Sequence, residues 1–308
     1  MLNKLIISTL PYIPKPIVGF FASRYIAGER LEDAVHVVQE LNSKDIMATI
    51  DVLGENITRR EEALEAKRNC EEVLHTINQY HLDSNLSIKL TQFGLKLDKQ
   101  FCLENVREIV RVAMGYNNFV RIDMEDSTCT TDTLDIYCQL RKEFDNVGCV
   151  IQAYLKRSEA DVKGLLGHKL NVRLCKGIYI EPPEIAIKDH DLINKNFILL
   201  MELILKNHAY IGIATHDDAL ISAAYRLIKE LQLKKSEYEF QMLLGVRPEL
   251  RDVIVRDGHR MRVYVPFGKH WYSYSVRRLK ENPQIAGYIV KSIFSFGKSD
   301  QLNGRKAH

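Results

Sequence analysis

"YIGIATHDDALISAAYRLIKELQL", residues 210–233, holds one full unit of the pattern that decides the fold. A short run containing the β-branched Ile211 and Ile213 ends in the polar pair Thr215 and His216. Apolar residues three and four apart then continue from Leu220 to Leu231, so a strand runs directly into a helix. The strand signature recurs along the chain as "IMATIDVLG" (46–54), "LSIKLTQFG" (86–94), "FVRIDMED" (119–126), "CVIQAYL" (149–155), "NVRLCKGIY" (171–179), "YEFQMLLGV" (238–246) and "RVYVPFG" (262–268). Helical periodicity fills the intervals, as in "LDKQFCLENVREIVRVAM" (97–114). Eight alternating β and α units predict an α/β fold, a closed (βα)8 barrel. Its parallel strands, buried on both faces, would read as near-continuous apolar runs.

The rest of the chain fits one domain. With 308 residues, 46% of them hydrophobic, it can bury a full core. The first segment, "MLNKLIISTLPYIPKPIVGFFASRYIAG", is apolar, but Pro11, Pro14 and Pro16 preclude a single long helix. The expected organisation is therefore an N-terminal helical segment over 1–44, a barrel over 45–283 and a tail over 284–308. A net charge of +3, spread among interspersed charges, argues against a nucleic-acid partner. Six cysteines without a C-x-x-C pair point to a reducing compartment, the cytoplasm. No stretch reaches the roughly 18 apolar residues that a membrane span requires, so any membrane contact is peripheral.

A (βα)8 barrel carries its chemistry at the carboxyl ends of its strands. Reading each run to its end gives Glu55, Lys89, Asp123 with Glu125, Gln152, Arg173 with Lys176, Thr215 with His216, Gln241 and Tyr264. Polar residues at the same relative position in every strand form a collar around one mouth. His216 is the only histidine among them, which argues against a metal centre. Lys89 or Lys176 could serve as a Schiff-base lysine, which needs a desolvated amine of lowered pKa, or as a plain anion binder. No G-x-G-x-x-G opens a helix after the first strand, so a dinucleotide would have to lie across the barrel mouth.

Seven motifs in order, "SIKLTQFGL", "RIDMED", "QAYL", "RLCKGIYIEP", "IATHD", "EFQMLLG" and "YVPFGKHWYSYSVRRLKENP", resemble those of the proline dehydrogenase family, flavoenzymes on a distorted (βα)8 barrel. The resemblance runs from about residue 23 to Pro283 and leaves no room for the aldehyde dehydrogenase domain of the family's bifunctional members. It implies FAD-dependent oxidation of L-proline to Δ1-pyrroline-5-carboxylate, the first step of proline catabolism, with electrons passing to a quinone at the inner membrane face.

The same resemblance assigns residues. Arg277 and Arg278 would clamp the substrate carboxylate with Lys89 as a third cation, and Glu281, one helical turn on, would hold a guanidinium and face the substrate nitrogen. Tyr264 would lie over the substrate ring. Arg173 would stand near the reactive edge of the flavin, and Asp123 would orient Lys89. Met124, Gln152, Lys176, Gly177, Ile178, Thr215 and His216 fall where the family contacts FAD. Glu55, in "LGEN", resembles a glutamate that pairs with a clamp arginine and gates access. Ile178 and Leu244 depart from the usual family residues without removing a functional group. A catalytically silent flavin or ligand binder, a hydroxyproline-directed dehydrogenase and a flavin-free lysine aldolase stay open as alternatives.

Overall fold

A computed structural model describes residues 19, 22, 24–55, 57–272 and 274–276. Arg277, Arg278 and Glu281, with most of the N-terminal segment before residue 24 and the tail 284–308, lie outside the described residues. Helix α1 (Leu31–Asn42) precedes a strict alternation: β1 (Met47–Val52), α2 (Arg60–Gln79), β2 (Ser84–Ile88), α3 (Lys99–Gly115), β3 (Val120–Ile122), α4 (Ser127–Arg141), β4 (Val147–Gln152) and α5 (Ser158–Leu165). It continues with β5 (Asn171–Cys175), α6 (His190–Lys206), β6 (Tyr210–Ala214), α7 (Asp218–Glu230), β7 (Tyr238–Leu243), α8 (Pro248–Arg256) and β8 (Met261–Phe267). The eight strands pair in parallel, in chain order, into a closed barrel. Closure is made by β8 on β1, with Thr49 opposite Tyr264 and Val52 opposite Phe267.

Aspartates start four of the helices. Asp98, Asp126, Asp189 and Asp217 each accept hydrogen bonds from backbone N–H groups of the following first turn, satisfying donors that the helix itself leaves free. The second half of "THDD" is thereby accounted for, since Asp217 caps α7 and leaves Thr215 and His216 at the strand end.

The strands are buried on both faces, but the two faces differ. Ala48, Ile50, Leu86, Ile88, Val120, Ile122, Val172, Leu174, Phe240, Val263 and Val265 belong to the apolar core. Between them alternate the buried polar residues Thr49, Asp51, Ser87, Arg121, Asp123, Arg173, Glu239 and Gln241. Asp123 on the β3 side bonds residues of β5 and β8, which are not its neighbours in the sheet, so these polar side chains meet through the barrel interior. The expected apolar runs are therefore corrected: the strands alternate with period two, apolar toward the helices and polar toward the axis.

Candidate active site

A connected polar network runs through the interior from Lys89 and Asp123, just past the ends of β2 and β3, down to Glu239 and Arg262 near the starts of β7 and β8. Lys89, which follows β2 and opens a 3-10 turn over Leu90–Phe93, donates to both oxygens of Asp51 at 2.8 Å and to the Tyr264 hydroxyl at 3.2 Å. Glu55 and Asp123 carboxylate oxygens each stand 3.8 Å from its ammonium. Asp123 Oδ1 accepts from Arg173 Nη1 at 2.5 Å and from Ser87 Oγ at 2.7 Å, and its Oδ2 accepts from the Tyr264 hydroxyl at 2.6 Å. Arg173 Nε donates to Gln241 Oε1 at 2.6 Å. Glu239 Oε1 then accepts from Gln241 Nε2 at 2.6 Å and from Arg262 Nε at 2.7 Å. Gly212 makes room for this path, because a Cβ there would lie 2.4 Å from Gln241 Nε2.

The electrostatics divide the ions into pairs. Burial alone would lower the Lys89 pKa, but the charges of Asp51, Asp123 and Glu55 and the bond to Asp51 reverse this and hold it above the ordinary lysine value. Lys89 is therefore an ammonium. Burial would raise the Asp123 carboxyl, yet Arg173 and Lys89, with hydrogen bonds from Tyr264 and Ser87, bring it below the usual carboxylate range. Asp51 goes the other way, raised by complete burial that its lysine does not fully offset. The Tyr264 hydroxyl is pushed well above its usual value by burial and by Asp123 and Asp51, so it stays a donor. Its ring is also held, with the Arg173 guanidinium carbon 5.1 Å from the ring centroid.

A second set of residues lies around β4, β5 and β6. Gln152 is buried, its Nε2 reaches the Met124 carbonyl at 3.4 Å, and its Oε1 has no hydrogen-bond partner among the described residues. Lys176 Nζ donates to Asp217 at 2.6 Å and lies 3.1 Å from His190 Nε2. His216 Nε2 accepts the Leu243 N–H at 3.0 Å, which places its remaining proton on Nδ1. Burial and Arg247 lower its pKa to about 4, so the ring is neutral. Thr215 is buried and its Oγ1 accepts from Asp217 N. Gly177 has φ +102°, and a Cβ there would lie 2.1 Å from the Tyr154 ring; that packing already requires a glycine. Ile178 is half-buried. A cavity of about 590 Å³ opens beside β1 against Glu55, Arg59, Glu62, Gln92 and Tyr274. Of the residues in the ionic network, only Glu55 lines it.

The structure thus brings Lys89, Asp123, Arg173 and Tyr264 into direct or near contact, with Glu55 at their rim. The direct partner that orients Lys89 is Asp51; Asp123 stands a full ångström farther away. Asp51, Ser87, Glu239 and Arg262 are absent from the strand-end collar, because each stands one to five residues before the end of its strand. The signal was present as alternation in "ATIDV", "VRID", "YEFQ" and "MRVY".

A closed parallel barrel with a buried lysine, carboxylate and arginine network toward its carboxyl mouth defines a (βα)8-barrel enzyme. The profile of the proline dehydrogenase family matches residues 34–290. Proline dehydrogenase 1 of Bacillus subtilis subsp. natto is 42% identical over 272 residues, covering 88% of this chain and 90% of that protein. Proline dehydrogenase of Deinococcus radiodurans is 34% identical over 277 residues, covering 88% and 89%. In three dimensions the chain is similar to proline utilization A (PutA) from Bdellovibrio bacteriovorus inactivated by N-propargylglycine, with a TM-score of 0.79 and 26% identity over 84% of this chain. The match spans 32% of that longer protein. This chain belongs to the proline dehydrogenase family.

Proposed function

We propose that the protein is an oxidoreductase that converts L-proline to Δ1-pyrroline-5-carboxylate with bound FAD, then delivers electrons to a quinone at a membrane surface. The observation that carries this reading is the coupling of Lys89, Asp123, Arg173 and Tyr264 in one buried network at the barrel mouth of a proline dehydrogenase family member. FAD supplies a ring that accepts a hydride equivalent. The residues present fit it: the orphaned Gln152 Oε1 calls for a donor such as a flavin imide N–H, and the Arg173 cation suits an electron-rich reduced ring. Met124, Lys176, Gly177, Ile178, Thr215 and His216 complete the proposed cofactor shell.

Toward the substrate, Lys89 supplies a fixed positive charge for the carboxylate, and Arg277 with Arg278 supplies the remainder. Glu281 faces the amine that must lose its proton, and Asp123 keeps Arg173 in place. The ammonium state of Lys89 counts against the lysine aldolase, whose nucleophile must be a neutral amine. Among the described residues no helix is long and apolar enough to cross a membrane. The chain acts as one barrel domain.

No cysteine or histidine stands in a covalent-attachment motif, so the flavin is held non-covalently. Acid precipitation of the purified protein should leave all flavin in the supernatant, and flavin retained in the washed pellet contradicts the assignment.

Tyr264 bears on which imino acid is oxidised. Its hydroxyl is fixed by Asp123 at 2.6 Å and Lys89 at 3.2 Å, so the ring cannot swing aside for a 4-hydroxyl group. Overpacking of about 1–3 kcal/mol corresponds to roughly five- to 150-fold discrimination. L-proline should therefore be preferred over trans-4-hydroxy-L-proline by that factor in kcat/KM, and Tyr264→Ser should lose proline activity while narrowing the ratio. Equal kcat/KM for the two substrates in the unaltered enzyme would move the substrate assignment to hydroxyproline.

A further inference from the structure

We infer that Asp51 is the positioning residue of this site, holding Lys89 as a fixed ammonium so that the substrate carboxylate meets a charged, immobile partner. The role acts through Lys89 and rests on the proposed contact between Lys89 and that carboxylate.

The geometry is specific. Asp51 is 0% exposed and engages Lys89 through both oxygens at 2.8 Å. An ammonium has three donors. The Asp51 carboxylate and the Tyr264 hydroxyl between them hold it in one position. Asp123 does not do this, since Arg173, Ser87 and Tyr264 take up its oxygens. The groups facing the pair are Glu55 beyond β1, Asp123 from β3 with Glu125 behind it, Arg173 from β5, Tyr264 from β8 and the Cys70 thiol from α2. Without Asp51, burial opposes the charge on Lys89, and Glu55 and Asp123 remain to support it only from 3.8 Å.

A lysine so weakened titrates within the working pH range, and a lysine held by Asp51 does not. The probe is cyclopentanecarboxylate, which keeps the ring and carboxylate of the substrate but has no titrating amine. Its inhibition constant against L-proline is followed from pH 6 to 9.5 in flavin-loaded protein. The unaltered enzyme should show no loss of binding assignable to Lys89. Asp51→Asn should weaken binding on the alkaline side by roughly tenfold or more, and Lys89→Met should remove that dependence. A profile for Asp51→Asn that parallels the unaltered enzyme would overturn the proposal.

A second measurement decides the pairing without ligand or flavin. Lys89→Met strands a fully buried carboxylate whose folded pKa, already above its unfolded value, rises further once the lysine that lowers it is gone. Stability is full below the unfolded pKa and falls as pH rises toward the folded one. Lys89→Met should therefore melt lower at pH 8 than at pH 5 relative to the unaltered protein, and the double variant Asp51→Asn, Lys89→Met should recover most of the loss. A double variant melting no higher than Lys89→Met refutes Asp51 as the partner. If Lys89→Met leaves the inhibition constant unchanged, the substrate-contact reading of Lys89 fails, and this cycle alone decides the role of Asp51.

Discussion

Arg173→Met is expected to lose about 100- to 1,000-fold in kcat, the effect of removing one preorganised charge from a site where negative charge develops. The same substitution removes the main cation from buried Asp123 and should destabilise the fold by roughly 3–5 kcal/mol, or about 5–15 °C in Tm. The pH dependence separates these causes from a packing defect. In the unaltered protein the Asp123 carboxyl is depressed, so its contribution is present above the unfolded pKa of about 3.9 and is lost as pH falls through the folded value. In Arg173→Met the same carboxyl is buried without its strongest partner, its folded pKa rises, and the sign reverses. The gap in Tm between variant and unaltered protein should be widest near pH 7 and shrink toward pH 4. A gap constant with pH, measured by thermal melts in matched ionic strength, contradicts the pairing. Arg173→Lys should not restore kcat, because a single ammonium cannot reproduce the fork that reaches Asp123 and Gln241 at once.

Arg277→Met and Arg278→Met are each expected to lower kcat/KM for L-proline by roughly 30-fold to several thousand-fold, the equivalent of about 2–5 kcal/mol for one partner of a desolvated charge pair. Lys89 is paired with Asp51, Arg173 with Asp123 and Lys176 with Asp217. Every described cation around the mouth from β2 to β6 that the sequence nominates thus has a carboxylate of its own. An incoming substrate carboxylate needs further positive charge, and the two arginines that follow β8 are adjacent in sequence and end in the long forked groups suited to it. Because the proposed clamp serves the substrate and not the cofactor, the flavin content should be unchanged. Steady-state kinetics alongside the flavin-to-protein absorbance ratio checks both halves. Near-normal kcat/KM in either variant removes that arginine from the clamp.

Eight strands and their order were legible because a parallel barrel repeats one local rule, an apolar run followed by helical spacing, and local rules survive without tertiary information. Lys89 and Asp123 were legible for a related reason, since each follows a strand where the barrel presents its chemistry, whereas Arg173 and Tyr264, in the middle of β5 and β8, stood out as polar breaks in apolar runs. Asp51 was not. It sits inside "TIDV", between Ile50 and Val52, where a charged residue reads as an interruption of the apolar run. Its partner lies 38 residues away across the β1–β2 pairing, and only closure of the barrel turns both side chains to the same interior. Glu239 and Arg262 were hidden similarly, as two halves of an ion pair joined across β7 and β8. Gly177 shows the converse case. The family resemblance puts it at the cofactor, and the Tyr154 ring packed against it supplies a sufficient reason for glycine within the chain itself.

The central claim is that this network, in a proline dehydrogenase family member, transfers a hydride equivalent from L-proline to a bound flavin. Its most direct test is the visible absorbance of the purified protein, incubated with FAD and desalted, on anaerobic addition of L-proline. The account predicts a yellow protein whose flavin band bleaches with L-proline and recovers on admitting a quinone. A yellow protein unchanged by saturating L-proline, or a colourless protein that retains no FAD, contradicts it.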